Sequence, residues 1–166
     1  MQTALQYTIR LMTTEEEASS IRDFFLSRDS FDDQHYTPGE IEHFQYNPFV
    51  SLREPNYNFW YAVNEQNELI GACSVFENEQ KTSGYNLDYI AVHKDYRKHG
   101  IASRLFDEML DFVRLNGGRY VLAYTCDLPE YHSVQKLFIK RGFVGVGHVP
   151  DYYYIGEGRL TFLKRM

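Results

Sequence analysis

The sequence predicts an α/β domain of the α+β kind, a mixed and mostly antiparallel sheet of about seven strands with a parallel central pair, flanked by about four helices. Three observations predict it. Between Asn86 and Phe112 the apolar period changes in mid-run: Leu87, Tyr89, Ile90, Ala91 and Val92 form a β-rich segment, whereas Ile101, Leu105, Met109, Phe112 and Val113 recur at helical spacing. Ahead of it, β-like segments joined by short turns make an antiparallel meander. Behind it, the long helix carries the chain across to Tyr120–Cys126, and a crossover of that length makes the strands on either side parallel.

Taken in order, Gln6 to Met12 alternates enough for a first strand. Thr13-Thr14-Glu15-Glu16-Glu17 then carries a capping box, in which a threonine hydroxyl and a glutamate three residues on satisfy each other's backbone N–H groups. Ala18, Ile21, Phe24 and Phe25 form the inner face of that helix, and polar Ser27 to Ser30 opens a loop. Thr37-Pro38-Gly39-Glu40 offers cap, first-turn proline and third-position acid, which predicts a short helix over residues 38–45 ended by Asn47-Pro48. Phe59, Tyr61 and Val63 alternate with Asn58, Trp60 and Ala62, a turn follows at Glu65-Gln66-Asn67, and Leu69 to Phe76 is the next strand. Residues 81–84 turn the chain into the strand at Leu87.

After the long helix, Asn116-Gly117-Gly118 is a stop, because glycine takes the left-handed conformation that ends helices. Asp127-Leu128-Pro129-Glu130 repeats a capping pattern, Val134, Leu137 and Phe138 face inward, and Lys140, Arg141 and Gly142 close the last helix. Residues 143–149 and 159–164 read as two closing strands, with Pro150-Asp151-Tyr152-Tyr153-Tyr154-Ile155-Gly156 as the loop between them.

A single domain over residues 1–166 accounts for the length. Hydrophobic residues at 43% and charged residues at 24% are a globular balance, and no apolar stretch approaches a membrane span. The leading MQTALQYTIRLM lacks a basic region followed by an apolar core, so the cytoplasm is the expected compartment. A net charge of -6 argues against nucleic-acid binding, which needs a basic face, and permits a cationic substrate. Cys73 and Cys126 lie in apolar runs without metal-ligand spacing, which predicts two buried reduced thiols.

The chemistry concentrates at the join between strand and helix, Arg97-Lys98-His99-Gly100-Ile101-Ala102. A helix start leaves backbone N–H groups unpaired and carries roughly half a positive charge, so an anion fits there. Gly100 lets the backbone approach a ligand, Ala102 keeps the next position small, and Arg97, Lys98 and His99 add positive charge. Neither GxxxxGK[ST] nor GxGxxG is present, so ATP and NAD are poor fits.

These residues resemble the signature of the GNAT superfamily of N-acetyltransferases, Gln/Arg-x-x-Gly-x-Gly/Ala, with Arg97, Gly100 and Ala102 at the matching positions. The resemblance implies the GNAT acyl-CoA N-acyltransferase fold, acetyl-CoA as cosubstrate, no metal, and direct transfer to an amine in a ternary complex without a covalent acyl-enzyme. It assigns the pyrophosphate of acetyl-CoA to Arg97, Lys98, His99, Gly100, Ile101 and Ala102. Pantetheine pairing falls on Ile90 and Val92 with Ala91 between them, the Ile90 N–H polarising the thioester carbonyl, and Ser133 joins the cofactor set. One wall of the acceptor site is implied at residues 29–57, which mix Asp32, Asp33, Glu40 and Glu42 with Phe31, Tyr36, Phe44, Tyr46 and Phe49. The same mixture also reads as core aromatics with solvated acids.

A second segment of the family, Asn-x-x-Ala-x-x-Leu-Tyr followed by Gly-Phe, aligns with Tyr131, Val134, Leu137, Phe138, Gly142 and Phe143. Two positions depart: Tyr131 replaces the asparagine, and Phe138 replaces the tyrosine that often protonates the leaving CoA thiolate. Tyr124, Tyr131 and the Tyr152–Tyr154 run remain open for that role. An amine with a pKa near 10 needs a base before it attacks. Asp88 is one candidate, sharing a strand face with Asn86, Ile90 and Val92, though an ordinary aspartate near 3.9 needs burial or a relaying water to serve at neutral pH. Glu130 and His132 are the others, imidazole having the advantage of titrating near neutrality.

The acceptor expected is the primary amine of a small molecule, with no nucleic acid and no membrane as partner, and a homodimer is admitted. Acetylation of a protein amine, a non-catalytic acyl-CoA sensor, and a generic α/β domain in which Arg97 to Ala102 is only a helix start stand beside it.

Overall fold

In the computed structural model, which describes residues 3–32 and 36–166, the elements run β1 (Tyr7–Leu11), α1 (Glu15–Leu26), α2 (Pro38–Ser51), β2 (Tyr57–Asn64), β3 (Leu69–Glu77), β4 (Gly84–Val92), α3 (Ile101–Leu115), β5 (Tyr120–Cys126), α4 (His132–Lys140), β6 (Val144–Tyr154) and β7 (Glu157–Arg165). The strands form one seven-stranded sheet in the order β1-β2-β3-β4-β5-β7-β6. Its parallel pair is β4 with β5, Gly84 opposite Tyr120 and Asn86 opposite Leu122, as the crossover through α3 requires. Asp33 lies outside the described residues. Two compact units partition the chain, Met1–Phe76 with Asp88–Phe112, and Glu77–Leu87 with Val113–Met166.

In the first unit the capping box of α1 is formed: Glu17 N–H donates to Thr14 Oγ1 at 3.1 Å, and Thr14 N–H donates to Glu17 Oε1 at 3.1 Å. The expected inner face, Ala18, Ile21, Phe24 and Phe25, is buried. Phe25 is its hub, with ring centroids of Phe44 at 5.4 Å, Phe31 at 5.6 Å and Tyr89 at 5.9 Å; such pairs add about 0.5–1.5 kcal/mol each beyond the area they bury. Helix α2 begins at its expected Thr37 cap but does not stop at Pro48. Pro48 forfeits one intrahelical donor, yet it is buried, and its carbonyl accepts from Ser51 Oγ at 2.8 Å, so burial carries the helix through to Ser51. Strand β2 departs from simple alternation: Phe59 to Asn64 is buried on both faces, with Trp60 against the ring of Phe112 at 5.5 Å.

In the second unit, β5 is flanked by β4 and β7, and β6 forms the sheet edge. Gly117 takes a positive φ of 71° and ends α3, and a Cβ on Gly118 would come within 2.8 Å of the Val113 carbonyl, so both stop glycines are required. The expected loop at 150–156 is largely strand: β6 runs through Pro150 to Tyr154. An edge strand tolerates a proline without N–H, and the pairing slips between Val149 and Tyr154, where Asp151 has a φ of 54°. The capping role expected of Asp127 is also not what forms. The short 3-10 turn Pro129–Tyr131 has no side-chain cap, because Asp127 is held by tertiary partners, accepting from Gly158 N–H at 2.9 Å and pairing with His148 Nε2 at 2.8 Å. Both cysteines are free and buried, and no described helix is long and apolar enough to cross a membrane.

Candidate active site

Asp88 sits on β4 with one carboxylate oxygen anchored and the other open. Tyr57 at the start of β2 and Ser74 on β3 (3.2 Å) both donate their hydroxyls to Oδ2. Oδ1 accepts from no described residue and is not sealed from solvent. Burial pushes the carboxyl from 3.8 up to about 6, against the Tyr57 hydroxyl, the nearby His43 and the Ser74 hydroxyl, which all favour the charged form. The Tyr57 phenol is pushed up in turn by burial and by the charge of Asp88, so it acts only as a donor. The next residue, Tyr89, turns toward α2, where His43 Nδ1 lies 3.1 Å from its hydroxyl. Sequence reasoning missed Tyr57, Ser74 and His43, since nothing local marks a strand tyrosine as the partner of a carboxylate 31 residues on.

After β4 the chain turns through left-handed residues into a helix start. A short 3-10 turn over Lys94–Tyr96 leads to Arg97 in extended conformation; Lys98 (φ 68°) and Gly100 (φ 78°) are left-handed, and α3 starts at Ile101. Arg104 N–H donates to Gly100 O at 3.1 Å, so Ile101 and Ala102 belong to the first helical turn, where no backbone acceptor exists for their N–H groups. No atom lies within 4 Å of where a Cβ on Gly100 would stand, and Lys98, His99 and Gly100 are exposed. Open space at Gly100, helix-start amides and the exposed Lys98 and His99 are features an anion site can use.

Arg97 is differently occupied. Its Nη1 donates to both oxygens of Asp32, at 2.8 and 2.9 Å, its Nη2 to Ser30 O at 2.9 Å, and its Nε to Val92 O at 3.2 Å.

The remaining candidates lie in the second unit. Glu130, His132 and Ser133 are exposed and Tyr131 is half-buried, around the start of α4. Phe138, two helical turns further on, is 2% exposed and lies 5.5 Å from the rings of both Phe143 and Phe162. Tyr124 and Tyr152 clamp the guanidinium of Arg159, its Cζ at 4.3 and 4.2 Å from their ring centroids.

The model of the acetyltransferase (GNAT) family matches residues 18–143. No curated protein matches the chain in sequence. Among solved structures, the chain is similar to a protein assigned as a GNAT-family acetyltransferase from Desulfovibrio desulfuricans, with a TM-score of 0.84 and 21% identity over 96% of this chain and 99% of that one. It is similar to a protein assigned as a streptothricin acetyltransferase from Bacillus anthracis, solved with acetyl coenzyme A, at a TM-score of 0.73 and 18% identity over 98% and 99% of the two chains. The ribosomal-protein-S18-alanine N-acetyltransferase of Escherichia coli also shares the fold, at 0.74 and 13% identity over 96% and 94%. With the family model spanning most of its length and its seven-stranded sheet shared with these structures, the protein belongs to the GNAT acetyltransferase family and is an acyltransferase.

Proposed function

We propose that the protein transfers an acetyl group from acetyl-CoA to the primary amine of a small molecule, by direct attack in a ternary complex with Asp88 as general base. The observation that carries this reading is the carboxylate of Asp88, one oxygen fixed by two hydroxyls and the other free, with its pKa raised to about 6. At pH 7 such a group is about nine-tenths ionised, so it is ready to accept a proton yet basic enough to take one from an ammonium. Oδ1 takes the proton directly or through one water, and the uncharged amine attacks the thioester carbon.

Acetyl-CoA supplies the activated acyl group, its diphosphate resting on the amides of residues 98–102. The Ile90 N–H, two residues along β4 from Asp88, is assigned to the thioester carbonyl oxygen. For the leaving thiolate the open positions are Tyr131, Tyr124 and the Tyr152–Tyr154 run, since Phe138 has no proton to give. Glu130 and His132, exposed around the start of α4, are less suited to the base role because no described hydroxyl pair fixes either of them as Tyr57 and Ser74 fix Asp88. A cationic acceptor is supported by the net charge of -6, and a small-molecule one by the likeness in fold to the protein assigned as a streptothricin acetyltransferase.

The test is release of free thiol from acetyl-CoA across a panel of polyamines, amino acids, aminoglycosides and amino-terminal peptides. For the best acceptor, kcat/KM is expected to rise with pH through about 6 and to fall by about 10² to 10⁴ in Asp88→Asn with acetyl-CoA binding retained. Full activity in Asp88→Asn, or thiol release with no amine, would refute it; peptide turnover alone would move the acceptor to a protein amine.

A further inference from the structure

We propose that Arg97 is a positioning residue, a strut that fixes the 29–32 loop on the turn following β4, so that acceptor affinity depends on its guanidinium and cofactor affinity does not. The inference rests on the acetyl-transfer reading above. Every nitrogen of the guanidinium is committed: Nη1 to the Asp32 carboxylate at 2.8 and 2.9 Å, Nη2 to Ser30 O at 2.9 Å, and Nε to Val92 O at 3.2 Å. Turning the fork toward a phosphate would give up the paired bonds to Asp32, and these four bonds leave only the second Nη2 N–H unused. The diphosphate has its own donors in the amides that follow, and these need only the backbone of Arg97.

The loop is bound to the same turn at neighbouring points. Lys94 N–H donates to Asp29 O at 2.9 Å, and His93 Nε2 stands 3.6 Å from Asp29 Oδ2. Ser30 is buried and its Oγ donates to Phe25 O at 3.0 Å, so the loop is pinned on its inner side as well. Between these anchors Phe31 is presented to the aromatic cluster: its ring stacks on Phe44 at 5.3 Å and 14°, and meets Tyr89 edge-on at 6.2 Å. Tyr89 follows Asp88 directly in β4. A chain of contacts therefore runs from the cofactor turn through Arg97 and the loop to the residue beside the base. Lysine cannot replace the fork, because its single ammonium lacks the fixed geometry that serves a carboxylate and two carbonyls at once.

The experiment uses Asp32→Asn, Arg97→Lys and the double variant of the full chain. Three readouts are needed: amide hydrogen exchange over residues 28–32, acetyl-CoA binding by calorimetry, and steady-state kinetics with the best acceptor. Both single variants are expected to speed exchange of the loop and to raise acceptor KM about tenfold with kcat within about twofold and acetyl-CoA Kd within about threefold. The double variant should be no worse than Arg97→Lys alone, as the Asp32 contact is already lost in it. Weakening of acetyl-CoA binding beyond about tenfold in Arg97→Lys but not in Asp32→Asn would make Arg97 a phosphate ligand and overturn the proposal. Unchanged loop exchange would overturn it too. Should the wild-type chain acetylate no amine, the acetyl-transfer reading fails on that result, while exchange and cofactor binding still decide the strut.

Discussion

Replacing Asp88 by asparagine is expected to make the protein more stable at neutral pH while removing its activity. The carboxyl rises from 3.8 to about 6 on folding, mainly through burial, which corresponds to about 3 kcal/mol of disfavour for the ionised form in the native state. A raised carboxylate pKa means that the folded chain binds the proton more tightly than the unfolded one. Its stabilising contribution is present below about pH 4 and is lost as pH climbs through about 6, so above that the ionised group is a full burden. Asparagine keeps an acceptor oxygen for Tyr57 and Ser74 but makes weaker bonds to them. Allowing for that, the gain at pH 7.5 should be about 2 kcal/mol, or about 4–8 °C in Tm for a chain of this size. At pH 4.5 it should fall close to zero, because the folded carboxyl is then protonated and the remaining ionisation cost of about 1 kcal/mol is offset by the weaker bonds. Urea denaturation of both proteins at the two pH values measures this. An asparagine variant no more stable than wild type at pH 7.5, or one with the same gain at both, would show that Asp88 is not a destabilised, poised base.

Tyr57→Phe removes a hydroxyl that favours the ionised carboxylate, so the acidic limb of kcat/KM should move to higher pH; an unmoved limb in a folded variant would detach Tyr57 from the base. Gly100→Ala places a Cβ in open space at a φ of 78°, so its cost is backbone strain of about 1–2 kcal/mol rather than a clash. Calorimetry should find acetyl-CoA bound more weakly, and unchanged affinity would mean that the diphosphate does not use this turn. Phe138→Tyr places a hydroxyl at a site 2% exposed between Phe143 and Phe162. It should cost about 1–3 kcal/mol in thermal denaturation with no gain in kcat, and a rate increase would return the acid role to this position.

How much was legible depended on how local each signal is. The capping boxes at Thr14 and Thr37, the inner face of α1, the glycine stop after α3 and the strand-turn-helix at residues 86–112 all rest on neighbours within a few positions, and all formed. The misses share the opposite property. Pro48 looked like a helix end because the burial that carries α2 past it comes from packing outside the helix. Pro150 and Asp151 looked like a loop because their tolerance depends on β6 being an edge strand, a fact of sheet order. Asp127 carried a cap pattern but found better donors on β7 and β6. In the candidate site the glycine turn was readable for the same reason as the caps, whereas the partners that tune Asp88 and occupy Arg97 arrive from distant strands and loops.

On the proposed mechanism, a phenylalanine at position 138 beside a tuned carboxylate at position 88 is consistent with the two proton transfers being unequal in difficulty. The acceptor must lose a proton held at a pKa near 10, several units above neutrality, so without a base only a tiny fraction of it can attack. The departing group is a thiolate, and thiols titrate near 8.5, so at pH 7 it leaves only about one and a half pKa units short of being stable unprotonated, equivalent to about 2 kcal/mol. Water or a loosely placed tyrosine can meet that smaller demand. The chain's residues fit that division: two hydroxyls fix the proposed base, while position 138, where the family resemblance implies an acid, is given over to the core between Phe143 and Phe162.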